Sequence, residues 1–351
     1  FFRRKMKILF LNHDLSPYTG AGRFFISLTS ALKHLAPDLA IRVATSEDLI
    51  TTNKLKLLWN LPKILRMARD SDLVHALDGW PYGFLGAFCA AVSGTKLVIT
   101  AIGTGGVKPL YSFWQRPLLR WSYHRADKLV AVSRHTRDEI LRVAPSLNIE
   151  VINHGVDRQK FQSTASGQSL VAKPYLLSVG AWKKRKGLEY SIAAFDLLRE
   201  KIPNLNYAIL SNPPEEIKKK YDQVQFLSGL SERDLASLYQ NAELFILLPQ
   251  DDNKDIEGFG LIYLEAAAAG LPVIGAKNTS AEDAVSDGKN GILVDGQNPK
   301  EAAEAMERIL GNQESRSRMS QESLAFAKSM TWEKAAESYK KIYNELQSRN
   351  S

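Results

Sequence analysis

Short apolar runs alternate with helix-length segments along almost the whole chain, and this alternation limits the possible folds more than any other feature of the sequence. The runs are apolar on both faces, which is typical of parallel strands covered by helices on both sides. In the first half the runs are KILFLNH, IRVATS, DLVHAL, KLVITAI, KLVAVS and IEVIN, with helical segments near residues 21–34, 54–69, 82–93, 111–125 and 134–143. This pattern predicts a doubly wound α/β domain.

The alternation begins again after QSTASGQSLVAKP, a polar stretch without periodicity that ends in a proline and indicates a linker. The second series of strands is YLLSVGA, NYAILS, VQFLSGL, LFILLP, PVIGA and GILVD, with helix caps expected at Ser231 and Asn298. A chain of 351 residues is also too long for one ordinary core. We therefore predict a first Rossmann-like domain at 1–160 and a second at 175–330. A linker at 161–174 joins them, and a C-terminal helix follows at 331–351.

The C-terminal helix carries an apolar stripe. Within WEKAAESYKKIYNEL the residues that fall largely on one helical face are Trp332, Ala335, Ala336, Tyr339, Ile342 and Tyr343. Such a stripe predicts that the helix packs against another part of the protein.

The composition, 44% apolar and 24% charged, is typical of a soluble globular protein. The single cysteine, Cys89, has no partner for an intrachain disulfide, so we expect a buried thiol in a reducing compartment. The opening FFRRKMKILFLNHD is too short and too quickly charged for a signal peptide. The longest uncharged stretch, between Asp78 and Lys96, is interrupted by Pro81 and several glycines, so we expect no membrane span.

The net charge of +8 is distributed unevenly. Residues 1–160 hold 23 Lys and Arg against 12 Asp and Glu, whereas the remainder holds 23 against 26. The first half is therefore the basic one, and it predicts an anionic partner such as a membrane surface.

The stretch IEGFGLIYLEAAAAGLPVIG, residues 256–275, joins a glycine-containing turn to a helix. It follows the strand LFILLP, and ligands of parallel sheets bind beyond the carboxyl ends of the strands. Gly258 and Gly260 allow backbone amides to approach a phosphate, and the N-terminus of a helix adds partial positive charge. This turn is a candidate phosphate site.

Two carboxylates flank that turn, Glu257 and Glu265, and they cannot bind the same phosphate. Carboxylates accept hydrogen bonds from vicinal hydroxyls, which suits a ribose and a sugar, so a nucleotide sugar would use all three elements. The alternative is that Glu265 is an exposed helix residue and Glu257 part of a solvated acidic loop. The run DDNKDIEG lacks the glycine and glutamate of an EF-hand calcium loop, because Ile256 and Ile262 occupy those positions.

Two further clusters suit an anionic ligand. Lys183, Lys184, Arg185 and Lys186 follow the strand YLLSVG, and cations at a strand end can stabilise a departing diphosphate. The alternative is a solubilising basic loop. In YTGAGRF, after the first strand, Gly20 and Gly22 open a helix and Arg23 follows.

Together these segments resemble the nucleotide-sugar-dependent, retaining glycosyltransferases of the GT-B fold, the glycosyl transferases group 1 family. The resemblance covers nearly the whole chain. It is carried by the family's E-x-FG-x-x-x-x-E pattern followed by G-x-PV, by TGAGR, by VINHGVDRQKF and by VGAWKKRKG. It implies that the first domain binds the acceptor, that the second binds the nucleotide sugar, and that the C-terminal helix packs on the first domain.

The resemblance also implies roles for single residues. Glu265 would hold the donor ribose and Glu257 the donor sugar. Backbone amides of Phe259, Gly260 and Leu261 would contact the sugar and diphosphate, and Gly258 belongs to the same turn. Lys186, assisted by Arg185, would stabilise the leaving diphosphate without a metal ion or cofactor, and Gly20 and Gly22 would let the first domain close on it. Retention would follow from same-face attack without a covalent nucleophile.

Two positions depart from the family pattern. Ala181 stands where the family often has an arginine, and Ile102 stands where it often has a histidine. His75 in DLVHALDG matches a histidine frequent in the family and is a candidate site residue, although a histidine at a strand end is as often structural. His13 and Asp14, past the first strand, are weaker candidates.

The acceptor side is indicated only by surface chemistry. KLKLLWNLPKILRMAR and YSFWQRPLLRWSYHR mix cations with aromatic and aliphatic residues, as segments on anionic lipid do. The alternative is ordinary core-facing helices with solvated cations. Nucleic acid is not expected, because the sequence contains no recognised binding module.

The leading hypothesis is a cytoplasmic glycosyltransferase, peripheral to the inner face of the membrane, that uses a UDP- or GDP-sugar and a lipid-linked or polysaccharide-precursor acceptor. A second is a degenerate protein that binds nucleotide sugar without turnover, as Ala181 and Ile102 would allow. A third is a dinucleotide-dependent oxidoreductase. It is disfavoured because the third glycine of that fingerprint would fall at Phe25 and the strand and glycines are too far apart.

Overall fold

The structure is a computed structural model, and it describes residues 5–17, 19–46, 54–162, 169–252 and 254–348. Five parts of the sequence interpretation lie outside these residues: residues 1–4 of the opening segment, Tyr18 of the first glycine segment, residues 163–168 of the predicted linker, Asn253 of the acidic run, and residues 349–351 of the predicted C-terminal helix.

The strands of the described residues are β1 (Lys7–Asn12), β2 (Ala40–Thr45), β3 (Leu73–Leu77), β4 (Lys96–Ala101), β5 (Lys128–Ala131), β6 (Ile149–Val151), β7 (Tyr175–Val179), β8 (Asn206–Leu210), β9 (Gln225–Leu227), β10 (Leu244–Ile246), β11 (Val273–Ala276) and β12 (Gly291–Val294).

The helices are α1 (Gly20–Leu35), α2 (Lys54–Arg69), α3 (Phe84–Ser93), α4 (Thr104–Val107), α5 (Gln115–Arg125), α6 (Arg134–Val143), α7 (Arg158–Gln162), α8 (Leu188–Arg199), α9 (Glu215–Lys220), α10 (Glu232–Asn241), α11 (Leu261–Ala268), α12 (Pro299–Leu310), α13 (Gln313–Ser329) and α14 (Trp332–Ser348). Shorter helical turns cover Gly79–Gly83, Lys108–Tyr111, Lys184–Lys186 and Ser280–Asp283.

The chain divides into two compact units. The first unit combines Phe1–His154 with Trp332–Ser351, and the second is the continuous segment Gly155–Thr331. The second unit therefore begins earlier than the predicted boundary at 160. Helix α7, which spans the predicted boundary, belongs to the second unit because its Phe161 ring is buried against Tyr239 of α10 at 5.4 Å between centroids.

Each unit is built on a parallel sheet, as the two series of apolar runs predict. The strand order is β2-β1-β3-β4-β5-β6 in the first unit and β12-β11-β10-β7-β8-β9 in the second. In each sheet the chain adds its next strand or strands on one side of the first strand, and it then crosses over and adds the remaining strands on the other side. The reversal lies between β1 and β3 in the first unit and between β7 and β10 in the second, and such switch points are where ligands bind in open α/β sheets.

The predicted elements are confirmed with small shifts at their ends. Ser231 and Asn298 cap α10 and α12 by accepting backbone N–H bonds from Asp234 and Glu301. The helices expected from 82 and 111 begin later, at Phe84 and Gln115, because short turns precede both. Cys89 is fully buried, and burial raises the pKa of its thiol to about 12, as expected of an unreactive core cysteine.

Helix α14 is part of the first unit, where it packs on α1. All six residues of its predicted apolar stripe are buried. Its Tyr343 hydroxyl lies 2.8 Å from His75 Nδ1, and its Tyr339 hydroxyl lies 3.2 Å from the Thr100 hydroxyl on β4. Helix α14 therefore contacts the sheet through hydrogen bonds as well as through its apolar side chains.

The structure corrects the interpretation of His75 as a candidate site residue. The ring is fully buried in the centre of β3, and both of its nitrogens are engaged, by Tyr343 and by the Thr100 hydroxyl at 2.8 Å. Burial lowers its pKa to about 3. A neutral imidazole enclosed in this way presents no atom to a ligand. His75 therefore has a structural role in the core of the first unit.

Candidate functional site

The loops that follow β7 and β10 meet at the switch point of the second unit, because these two strands are neighbours in the sheet. The first loop contains the basic run that ends at Lys186, and the second contains the acidic run and Glu257. Gly187 brings the loops close together. It adopts φ +61°, and a Cβ there would lie 1.6 Å from the Leu248 carbonyl oxygen, so no side chain fits.

Oppositely charged side chains connect these two loops. Lys186 Nζ lies 2.8 Å from Glu257 Oε2, and the Arg185 guanidinium also contacts the Glu257 carboxylate. Arg185 Nε lies 3.2 Å from Asp255 Oδ1, and Lys184 is paired with Asp252 at 2.9 Å. The acidic run thus neutralises much of the basic run and holds its cations in place.

Glu257 and Lys186 are both largely shielded from water, with side chains about one-tenth exposed (12% and 10%). Burial alone would raise the pKa of Glu257, but the adjacent Lys186 and Arg185 outweigh it and lower the pKa below its usual value. Glu257 is therefore ionised at neutral pH. It can accept hydrogen bonds, and it cannot serve as a proton donor.

Helix α11 begins directly beyond this cluster. Gly260 precedes it with φ +83°, a conformation that strains any side chain, and a Cβ there would also meet the Tyr263 ring at 2.7 Å. The Phe259 ring is buried, so only its backbone can face a ligand, and Gly258 and Leu261 are partly exposed. Helix α11 thus begins a few residues after Glu257, the partner of Lys186.

Glu265 is buried on α11 and does not project freely into solvent. The Tyr239 hydroxyl on α10 donates a hydrogen bond to its Oε2 at 2.9 Å. This contact excludes the alternative of an exposed helix residue. Sequence reasoning missed Tyr239: the helical pattern around it indicates a buried face, but no sequence signal pairs it with Glu265.

In the first unit, the loops after β1 and β3 meet at the other switch point. His13 Nδ1 lies 2.9 Å from the Tyr82 hydroxyl, and Asp14 accepts hydrogen bonds from the Thr19 hydroxyl at 2.7 Å and the Ser16 amide at 3.0 Å. Asp14 therefore shapes the loop that leads into α1, and the exposed His13 ring lies at the sheet end with Tyr82.

The two glycines of this segment differ in their surroundings. At Gly22, a Cβ would lie 2.0 Å from the Ser16 carbonyl oxygen, and the Gly22 amide donates to the capping Thr19 hydroxyl at 3.0 Å. At Gly20 a Cβ would meet nothing within 4 Å. Arg23, in the first turn of α1, is partly exposed. Gly22 is thus required by the fold, and Gly20 is not.

Asp78, after β3, is a feature that the sequence interpretation did not identify. It has φ +86°, which is rare for a residue with a side chain, and its carboxylate accepts from the Gly79 amide at 2.8 Å and the Ile102 amide at 3.4 Å. Burial raises its pKa to about 6 against the effect of these amides. Ile102, one of the two departures from the family pattern, thus lies beside Asp78. The other, Ala181, is exposed.

Two negative observations apply to the described part of the chain. No helix in it combines the length and the apolarity needed to cross a membrane. Within the same residues, no group of three or more His, Cys, Asp or Glu is arranged to hold a metal ion.

The two halves of the chain match two protein-family models. Residues 18–160 match the model described as Glycosyltransferase Family 4, and residues 160–325 match the model described as Glycosyl transferases group 1.

Curated relatives are similar at moderate identity. An uncharacterized glycosyltransferase of Methanocaldococcus jannaschii is 24% identical over 290 residues, covering 82% of this chain and 79% of the relative. The GDP-mannose-dependent alpha-(1-6)-phosphatidylinositol monomannoside mannosyltransferase of Mycolicibacterium smegmatis is 29% identical over 199 residues, covering 52% of each chain. The chain thus matches about half the length of the second relative.

Solved structures show the same fold. HepE of Anabaena, crystallised with UDP and glucose, superposes with a TM-score of 0.75 at 18% identity, covering 97% of this chain and 100% of that chain. The two halves of the chain are therefore similar to the Glycosyltransferase Family 4 model and to the Glycosyl transferases group 1 model, and the chain has the GT-B fold.

Proposed function

We propose that this protein is a retaining, metal-independent glycosyltransferase. It moves a hexose from a UDP- or GDP-sugar to a lipid-linked or polysaccharide-precursor acceptor of the cell envelope. The observation that carries the proposal is the Lys186–Glu257 pair at the switch point of the second unit, immediately before the N-terminus of α11. The family matches and the likeness to a protein solved with UDP and glucose support the same class of donor.

In the proposed reaction, the acceptor hydroxyl attacks the anomeric carbon from the face that the diphosphate leaves. A bond from the anomeric carbon to the acceptor oxygen forms as the bond to the phosphate oxygen breaks, and the acceptor proton passes to the departing phosphate. Lys186 and Arg185 offset the negative charge that grows on the diphosphate, together with amides from Gly258 to Leu261. No side chain becomes a covalent nucleophile, and no metal ion is needed.

The two glutamates bind hydroxyl groups in this proposal. Glu257, ionised and held by Lys186 and Arg185, accepts hydrogen bonds from the donor hexose. Glu265 accepts from the ribose through its carboxylate, which the Tyr239 hydroxyl orients. The pair therefore serves in recognition, because neither carboxyl group is required to exchange a proton.

The acceptor is proposed to bind the first unit, at the switch point formed by His13, Tyr82 and the Gly20–Gly22 segment, with Arg23 adjacent. The basic character of residues 1–160 supports an acceptor at an anionic membrane surface, and we place the protein on the cytoplasmic face. The mannosyltransferase relative acts, by its name, on a phosphatidylinositol monomannoside, which is a lipid acceptor.

The test begins with donor binding. We expect one of a panel of UDP-, GDP- and ADP-sugars to raise the melting temperature, because a ligand that binds only the folded state at a hundred times its Kd adds about 2.7 kcal/mol. We then expect hydrolysis or transfer of that sugar by the native chain and its loss in Lys186→Met. Binding without turnover would identify a degenerate nucleotide-sugar-binding protein, and no binding by any sugar would refute the assignment.

A further inference from the structure

The first unit exposes large apolar side chains on two adjacent helices. On α5 and its N-cap, Trp114, Leu118 and Trp121 are 79%, 40% and 42% exposed, and their spacing places them on one helical face. On α3, Phe88 and Val92 are 37% and 45% exposed and follow Phe84 at intervals of four residues. Each helix therefore presents an apolar stripe to solvent.

Ring contacts join the two stripes. Helices α3 and α5 pack together, and the Phe84 ring lies edge-to-face against the Trp121 ring at 6.0 Å. At the start of α5, Phe113 is 82% exposed and contacts the Trp114 ring at 5.1 Å. The exposed apolar groups thus form one continuous surface, which differs from the single exposed apolar residues that soluble proteins commonly carry.

The helices that form this surface carry cations and no carboxylates. The sequence contains no Asp or Glu between Asp78 and Asp127, a segment that includes α3 and α5, whereas Arg116 and Arg120 lie on α5 itself. Helix α2, which packs on α3, also lacks carboxylates and exposes Trp59 by 85%. No acidic group of these three helices is therefore available to pair with their cations.

We propose that this surface, the aromatic–basic face, docks on an anionic lipid bilayer. It is defined by Phe113, Trp114, Leu118 and Trp121 with Arg116 and Arg120. Aromatic rings are enriched at the level of lipid headgroups, and each Lys or Arg near an anionic surface contributes about 1 kcal/mol. The inference deepens the membrane association proposed above and does not depend on which sugar is transferred.

The charge pattern argues against a second copy of the chain as the occupant. A two-fold dimer through this face would bring the same cations from both copies together without a carboxylate between them. A bilayer supplies both of the partners that the face lacks: phosphate groups for the arginines and an acyl boundary for the apolar stripes.

The experiment is co-sedimentation of the full chain with vesicles, without donor sugar. We expect binding to vesicles of equal parts phosphatidylcholine and phosphatidylglycerol, and at least tenfold weaker binding to phosphatidylcholine alone. Phe113→Ser with Trp114→Ser should weaken binding to the mixed vesicles at least tenfold. Arg116→Gln with Arg120→Gln should weaken it by about fivefold per cation.

The controls remove matched groups from the second unit. Leu197→Ser with Leu324→Ser changes two exposed leucines, and Lys300→Gln with Lys328→Gln changes two exposed cations. Both control variants should bind vesicles as the native chain does. Melting curves and the donor-induced thermal shift, recorded without vesicles, should be unchanged in all four variants, which separates this proposal from the proposed transfer reaction.

Other outcomes would overturn the proposal. Equal binding by the Phe113/Trp114 variant, or no binding of the native chain to the mixed vesicles, would exclude docking through this face. A loss of self-association in that variant by light scattering, without a loss of vesicle binding, would assign the face to a dimer. If the native chain bound a single-stranded oligonucleotide instead of vesicles, and the Phe113/Trp114 variant lost that binding, the face would be assigned to nucleic acid.

Discussion

Lys186 Nζ lies 2.8 Å from Glu257 Oε2, and this ion pair joins the loops that follow two adjacent parallel strands, β7 and β10. The pair is largely buried, and Arg185 contacts the same carboxylate. The ammonium group is therefore held in place before any ligand arrives, which lowers the cost of organising a site for a developing anion.

We predict that Lys186→Met lowers turnover of the donor sugar by about 10²-fold to 10³-fold, because one preorganised charge at the leaving group is lost. Lys184→Met is the matched control, since Lys184 is mostly exposed and pairs with Asp252. Its turnover should stay near that of the native chain. Initial rates of sugar release measure both variants, and similar losses in the two would contradict a specific role for Lys186.

We predict that Tyr239→Phe weakens nucleotide binding several-fold, because the Glu265 carboxylate loses the hydroxyl that orients it. Tyr207→Phe is the control: Tyr207 is also buried, and its hydroxyl lies 2.6 Å from the Ser178 hydroxyl. Each substitution should cost about 1 kcal/mol of unfolding free energy. Calorimetric titration with the nucleotide should separate them, and equal affinities in the two variants would leave Tyr239 a purely structural role.

Gly22→Ala should destabilise the protein by about 1–3 kcal/mol, because the new methyl group would overlap the Ser16 carbonyl oxygen. Gly20→Ala adds the same atoms in open space and should leave the unfolding free energy nearly unchanged. Thermal or urea unfolding measures the difference. A larger loss in Gly20→Ala than in Gly22→Ala would contradict the close approach of Gly22 to the Ser16 carbonyl oxygen.

Stability should fall on acidification because of His75. Burial lowers the pKa of its imidazole from 6.5 to about 3, so between these values the unfolded chain binds a proton that the folded chain does not. Unfolding free energy should therefore decrease by about 1.4 kcal/mol for each pH unit below 6.5 until the folded-state pKa is reached.

The variant that checks this contribution is His75→Gln, which is neutral at every pH. It should be less stable than the native chain at pH 7, since it disturbs the bonds to Tyr343 and Thr100, but its stability should depend less steeply on pH. His34→Gln, an exposed change, should keep the native slope. Urea unfolding at a series of pH values would contradict the argument if all three slopes were equal.

The fold was predictable from the sequence because burial on both faces of a parallel sheet leaves a pattern that is local in the chain. The apolar runs therefore marked every strand, and the caps at Ser231 and Asn298 marked two helix starts. The boundary between the units was less predictable. It depends on the unit in which Phe161 is buried. Phe161 packs on Tyr239, which is distant in the sequence, so no local pattern indicates this contact.

The site was predictable where its residues lie in short motifs and unpredictable where its contacts cross the chain. Glu257 and Lys186 could each be proposed from the motif around it, but not as an ion pair, because that contact joins two distant loops. Tyr239 could not be paired with Glu265, nor His75 with Tyr343, because 26 and 268 residues separate the partners. Asp78 left no sequence signal, because its left-handed backbone and bonded amides exist only in the folded loop.

The division of the chain has a consequence for synthesis. Helix α14 completes the first unit, yet it is translated after all of Gly155–Thr331. The core around His75 lacks Tyr339 and Tyr343 until then, so the first unit cannot reach its final packing while the second is emerging from the ribosome. The second unit, continuous in sequence, can close earlier. Folding during synthesis should therefore be completed by the packing of α14 on the first unit, whose sheet is translated first.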